Sequence, residues 1–252
     1  MSRHPAITTE ALPGQIAAAG LLPPKALTVA ITTGCNLRCA HCWVDCRRTA
    51  DAPQLVGLAA FRKLLGEFTD LGGRELCITG GEPMTHPAWR DMVAAGCTHP
   101  RVDKVTLQTN GSLLDTQTLK SLAGETFHTL CLQVSLDGCS PATHDLVRGA
   151  GNFERVMLGL KGLADAGFAS RTTIAFTEMR HNFEEIPRLL DLADQLEVAA
   201  VIGLTLIAEG SARRSKTALM PAREQYLALV GRYENDPVFR KRYDRLGRFA
   251  AI

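Results

Sequence analysis

Leu27-Thr28-Val29-Ala30-Ile31-Thr32-Thr33-Gly34-Cys35-Asn36-Leu37-Arg38-Cys39-Ala40-His41-Cys42 passes from an apolar, β-branched run into a loop that carries three cysteines. The run, at about 27–33, reads as a strand, and glycine marks where it ends. Cys35, Cys39 and Cys42 form C-x3-C-x2-C, a spacing that lets three thiolates turn inward around one compact centre. Thiolate ligands favour iron–sulfur clusters or zinc. A cubane has four irons, so three cysteines leave one iron open to a ligand with an amine and a carboxylate. Cys46 is the alternative fourth ligand, and it would close the site into a structural, zinc-like centre. Zinc modules more often use two separated cysteine pairs.

Working outward, β-rich runs recur at about 75–79, 104–109, 129–135, 171–177 and 199–206. Segments with helical spacing lie between and after them, at about 56–71, 87–96, 115–123, 153–166, 183–196 and 221–233, with Asn152 and Asn182 placed as N-caps. Strands separated by helices imply parallel pairing with right-handed crossovers. The expected fold class is α/β, a partial (β/α)6 TIM-type barrel with parallel strands. Three stretches follow: a lead-in at 1–24, the barrel at 25–215, and a charged helical segment at 216–252 that is the possible start of a longer C-terminal region.

In such barrels the C-terminal strand ends share one face, where active sites are built. Each of the first four strands runs into a polar or glycine-containing segment there: the cysteine loop, then Gly80-Gly81-Glu82-Pro83, Asn110-Gly111, and Ser135-Leu136-Asp137-Gly138. These four should converge. The glycine pair lets backbone approach a ligand closely, and Glu82 sets a carboxylate for a cation.

The composition excludes more than it identifies. Lys and Arg number 28 against 26 Asp and Glu, a formal charge of +2, which points to neither a nucleic-acid nor a membrane surface. No apolar run approaches the roughly 18 residues that span a bilayer, and no charged-then-apolar leader opens the chain, so a cytoplasmic location is expected. There the eight cysteines stay reduced and need metal or burial to explain them. Cys77 and Cys131, within apolar runs, read as buried small hydrophobes, while Cys139 falls on the rim of the site.

With its motifs in order, the chain over about 27–214 resembles the radical S-adenosylmethionine (SAM) superfamily. The carriers of the resemblance are Cys-Asn-Leu-Arg-Cys, Gly-Gly-Glu-Pro, Thr-Asn-Gly, Ser-Leu-Asp-Gly and His-Asp-x-x-Arg-Gly. The resemblance implies a [4Fe-4S] cluster on Cys35, Cys39 and Cys42, with SAM at the open iron. It implies that Gly80, Gly81, Glu82 and Pro83 hold the methionyl ammonium and that Arg148 pairs with the SAM carboxylate. Ser135 and Asp137 are expected at the ribose or methionine part, with Asn110 beside them. His41 stands where the family usually has an aromatic residue, and it still offers a flat ring. The implied reaction begins with one electron from an external reductant of flavodoxin or ferredoxin type. SAM is then cleaved to methionine and a 5′-deoxyadenosyl radical, which abstracts hydrogen from a substrate. No general acid or base is named. The pattern is most similar to the branch of SPASM and twitch-type peptide maturases and cofactor-synthesis enzymes, although no cysteine follows Cys139. A peptide or protein substrate is expected, with a small molecule such as a tetrapyrrole or nucleotide as the alternative. A non-enzymatic metal-binding module would explain only the cysteines.

Overall fold

Seven parallel strands form one sheet in chain order: β1 (Ala26–Ala30), β2 (Glu75–Thr79), β3 (Lys104–Thr109), β4 (Leu130–Ser135), β5 (Thr172–Glu178), β6 (Ala200–Thr205) and the two-residue β7 (Gly247–Arg248). The computed structural model describes residues 12–44, 53–124, 127–215 and 219–249. The order is linear, with β1 and β7 at the two edges, so the barrel is incomplete. Six strands stand where the sequence puts them. The seventh is an addition, too short to carry a periodic signal, and it extends β6 through Val201 and Ile202.

Period-two alternation sorts the strand residues. Val105 and Leu107 of β3 and Leu130, Leu132 and Val134 of β4 are buried, in register, against the helices. The residues between them face inward. Helices α2 (Leu58–Asp70), α3 (Trp89–Cys97), α4 (Thr116–Gly124), α6 (Asn152–Asp165) and α7 (Ile186–Gln195) cover the outside. In α2 the spacing of Phe61, Leu65 and Phe68 puts three buried side chains on one stripe, each contributing about 1.5–3 kcal/mol. In α7 the buried stripe is Ile186, Leu189, Leu190 and Ala193.

The structure corrects several local expectations. Asn152 and Asn182 do not cap helices with their side chains. Asn152 Nδ2 instead donates to the Arg148 and Gly149 carbonyls, and Asn182 Nδ2 to those of Asp137 and Thr177. Asn182 thus ties the loop after β4 to the end of β5, and the start of α6 is held instead by Asp145, which accepts from the N–H groups of Gly151 and Phe153. The His-Asp-x-x-Arg-Gly segment is itself helical, as α5 (Pro141–Arg148). The charged C-terminal stretch is two helices, α8 (Arg223–Asn235) and α9 (Pro237–Leu246), running into β7. Pro237 lacks the N–H needed to continue, and Asp236 caps the new start by accepting from Val238 and Phe239. Arg242 and Arg245 then bind α9 to Asp191 and Asp194 of α7. A short α1 (Leu12–Ala18) lies in the lead-in. No described helix is long and apolar enough to cross a membrane.

Candidate functional site

One cavity of about 340 Å³ opens at the C-terminal ends of the strands. Its lining brings together Cys35, Cys39, His41 and Cys42 from the loop after β1, Gly80, Gly81 and Glu82 after β2, Asn110 after β3, Ser135 of β4 and Arg148 of α5. Pro83 and Asp137 lie outside the lining. Cys46 is outside the described residues.

The glycine pair serves the neighbouring backbone as much as any ligand. A methyl group on Gly81 would stand 2.2 Å from the Gly34 oxygen, because the two loops are laced by Gly81 N–H to Thr32 O and Glu82 N–H to Gly34 O, each 2.8 Å. Pro83 starts a 3-10 turn, Pro83–Thr85, in which Pro83 and Met84 are buried and Glu82 is the cap. The Glu82 carboxylate is fully buried. It accepts from Met84 N–H at 3.2 Å, Thr109 Oγ1 at 2.9 Å and Asn110 N–H at 2.7 Å. Burial raises its pKa, against the pull of those three donors and the more distant Arg148. No described cation pairs with it, so an entering ammonium would supply its counter-charge.

Asp137 is fully buried behind the cavity lining. Burial alone would raise its carboxyl, but Arg148, His41 and the Thr177 N–H hold it at about 2. Oδ2 accepts from Arg148 Nε at 2.6 Å and stands 3.3 Å from His41 Nε2, while Oδ1 accepts from Thr177 N–H at 2.8 Å. Both oxygens are engaged within the protein, and the bond to Nε fixes how Arg148 is oriented. Arg148 Nη1 and Nη2 have no partner among the described residues, and the side chain lines the cavity. Burial lowers His41 to about 4, against the opposing pull of Asp137, so at neutral pH the ring is uncharged, with Nδ1 buried and unpartnered.

The three thiols share this space. Burial raises Cys39 to about 11, eased by Arg148 and reinforced by Cys35, Asp137 and Cys42; a metal would expel that proton. No three described His, Cys, Asp or Glu side chains converge enough to hold a single ion. All three thiols line the cavity wall, and thiolates are the ligands that iron–sulfur clusters use. The donor set therefore fits a cubane with SAM: three soft ligands, one unpaired carboxylate, and one guanidinium with its terminal nitrogens available.

Sequence reasoning missed several contributors. Asn110 Nδ2 donates to Asn36 Oδ1 at 2.9 Å, and Asn36 Nδ2 to Ser112 Oγ at 2.8 Å, tying the cysteine loop to the loop after β3. Asn110 Nδ2 also lies 4.0 Å from Cys35 Sγ. Thr109, the last residue of β3, donates its hydroxyl to Glu82 Oε1 at 2.9 Å. After β6, Gly210 (φ +58°) approaches so closely that a methyl group would lie 2.4 Å from the Trp43 oxygen, and Ser211 N–H donates to Cys42 O at 2.8 Å. Leu206 and Ala212 join Val147 and Met179 in a small second core under Ala40. Two cysteine expectations change. Cys77 and Cys131 are half-buried on the inward strand face, sharing it with Thr79 and with Gln133 and Ser135. Cys139 is covered by Glu185, whose carboxylate takes its N–H at 2.7 Å, and burial pushes its thiol to about 12, away from reactivity.

The sequence model of the Radical SAM superfamily matches residues 29–193. An AdoMet-dependent heme synthase from Methanosarcina barkeri is 32% identical over 190 residues, 74% of this chain and 52% of its own length. A PqqA peptide cyclase from Rhizobium meliloti is 31% identical over 224 residues, 88% of this chain and 56% of its own. The chain thus spans about half the length of these curated relatives. Among solved structures, SuiB of Streptococcus suis bound to S-adenosylmethionine matches with a TM-score of 0.72 at 17% identity, over 94% of this chain and 52% of that one. At that identity the likeness speaks to the fold.

Proposed function

The chain belongs to the radical SAM superfamily, and on that premise we propose that it is the barrel of a maturase-like enzyme that removes a hydrogen atom from a peptide. The observation that carries the reading is a single cavity lined by three thiols, an unpaired buried carboxylate and an oriented guanidinium. In the proposed arrangement Cys35, Cys39 and Cys42 hold the cluster, Glu82 takes the ammonium of SAM, and the terminal nitrogens of Arg148 take its carboxylate. Gly80, Asn110, Ser135 and His41 line the remaining wall. When bound, the cluster and SAM supply a one-electron reductive cleavage that ends in transfer of a hydrogen atom from substrate to the 5′-deoxyadenosyl carbon. The protein positions the parts and excludes water, with the loop after β6 laid over Cys42. An external one-electron reductant of flavodoxin or ferredoxin type would deliver the electron. A cytoplasmic setting would keep the thiols reduced.

The lining favours a peptide over a polyanionic small molecule. Beyond Glu82 and Arg148 its described side chains are neutral amides, hydroxyls and thiols, one uncharged imidazole and apolar groups, with Trp43, Val44, Leu204 and Ile207 at an exposed apolar rim. The second reading, small-molecule cofactor synthesis, is supported by the likeness to the heme synthase. The deciding experiment incubates reduced, anaerobically reconstituted protein with SAM. 5′-Deoxyadenosine above a Cys39→Ala control is expected, and its absence with a full cluster present would reject competence of this chain. Peptide binding against tetrapyrrole or GTP binding then separates the two substrate readings.

A further inference from the structure

Two glutamines lie side by side on the inner wall of the barrel with no hydrogen-bond partner for their side chains among the described residues. Gln108 of β3 and Gln133 of β4 are register partners on adjacent parallel strands, and both line the cavity half-buried. No described residue donates to or accepts from either carboxamide. They stand two residues before Asn110 and Ser135, so about 7 Å deeper along their strands than the proposed SAM wall. In the same layer Gln133 has Thr173 of β5 as its other register partner.

Resting on the peptide reading above, we infer that Gln108 and Gln133 form a paired-amide seat for the backbone amides of an extended, uncharged peptide segment, and that this seat selects the substrate. Each carboxamide offers two donors and an acceptor. Adjacent strands about 4.8 Å apart set the two groups within reach of different peptide units of one extended segment. Once the cavity fills, an occupant lacking polar groups would strand both amides, and that penalty discriminates against apolar ligands. No charged side chain lines this layer, so a polyphosphate or a polycarboxylate would lose its hydration with no compensating cation. A neutral amide satisfies both conditions.

The test uses the full chain, anaerobically reconstituted, with SAM, reductant and a digest of uniformly deuterated protein as the peptide probe. Deuterium in 5′-deoxyadenosine reports hydrogen taken from peptide. Gln108→Leu and Gln133→Leu should each lower the deuterated fraction about tenfold at limiting peptide, the loss expected for stranding one polar partner. Gln133→Asn, which keeps the amide on a shorter stem, should fall between. Iron content and SAM affinity should match the unsubstituted protein. An unchanged deuterated fraction in both leucine variants overturns the seat while leaving the peptide reading standing. A loss of SAM affinity assigns the amides to SAM and also overturns it. If the unsubstituted protein takes no deuterium from the digest, whether or not it takes any from ribose-deuterated GTP, the peptide reading falls and the seat with it.

Discussion

Asp137 takes Nε of Arg148 at 2.6 Å and leaves both terminal nitrogens of the guanidinium without a partner among the described residues. A fully buried carboxylate and an almost fully buried guanidinium thus form one unit that fixes where the free edge of the arginine points. Removing one partner of a buried pair leaves the other uncompensated, so Asp137→Ala should cost about 3–5 kcal/mol of stability. Urea unfolding of the cluster-free chain measures that cost, and SAM affinity should fall with it. A variant as stable as the unsubstituted protein would show that Arg148 finds its own counter-charge.

Anaerobic reconstitution should load about four irons and four sulfides per chain. Replacing Cys35, Cys39 or Cys42 by alanine should abolish loading, whereas Cys46→Ala should leave it intact. Equal loss in the Cys46 variant would mean a closed, four-cysteine site.

Glu82→Gln keeps the shape but removes the charge offered to an ammonium. With one charge-assisted contact in a shielded site worth about 2–3 kcal/mol, SAM affinity should drop about 30- to 150-fold at unchanged iron content. Equilibrium titration with SAM decides, and an unchanged affinity would remove Glu82 from the site.

His144 is fully buried, its Nδ1 accepting the Asp137 N–H at 3.0 Å. Burial, helped by Arg148, lowers its pKa from 6.5 to about 4. The unfolded chain therefore takes up a proton near pH 6.5 that the folded one refuses until about pH 4. Stability tied to this residue is intact above that window and is lost as pH falls through it, by about 3 kcal/mol in all. His41 shifts in the same direction, so His144→Asn, which preserves an acceptor, should flatten the pH dependence only in part. Urea midpoints at pH 7.5, 6 and 5 give the slope; an identical slope in the variant would refute the assignment.

Gly81→Ala would drive a methyl group into the Gly34 carbonyl, a backbone atom with little room to yield. Expected are a loss of about 1–3 kcal/mol and impaired iron loading as the cysteine loop shifts. Normal loading in Gly81→Ala would show that the two loops can separate without harm.

What the sequence made legible follows from what local pattern encodes. β2 and β3 fall at their expected bounds because alternation and flanking glycines are local signals. The gathering of Cys35, Glu82, Asn110, Ser135 and Arg148 at one cavity was foreseeable because parallel topology stacks the strand ends. The turning of Asp137 toward Arg148 was not, since a motif gives a residue's place and not its rotamer. Gln108 and Gln133 could have been found by stepping back two residues from Asn110 and Ser135, as period two requires. The contact of Gly210 with Trp43 left no local trace, because it joins segments far apart in the chain.

The backbone bond from Ser211 to Cys42 has a bearing on how the chain acquires its shape. Contacts of such long sequence separation must overcome the entropy of closing a long loop, and topologies built on them fold slowly. This one joins the first strand's loop to the sixth strand's loop across the gap that the sheet leaves open. Its closure entropy is offset only where the intervening strands hold the two loops together, which couples the order of the cysteine loop to that of the whole sheet. A cluster held at Cys42 would favour the state in which this bond is made, drawing the population toward it by mass action.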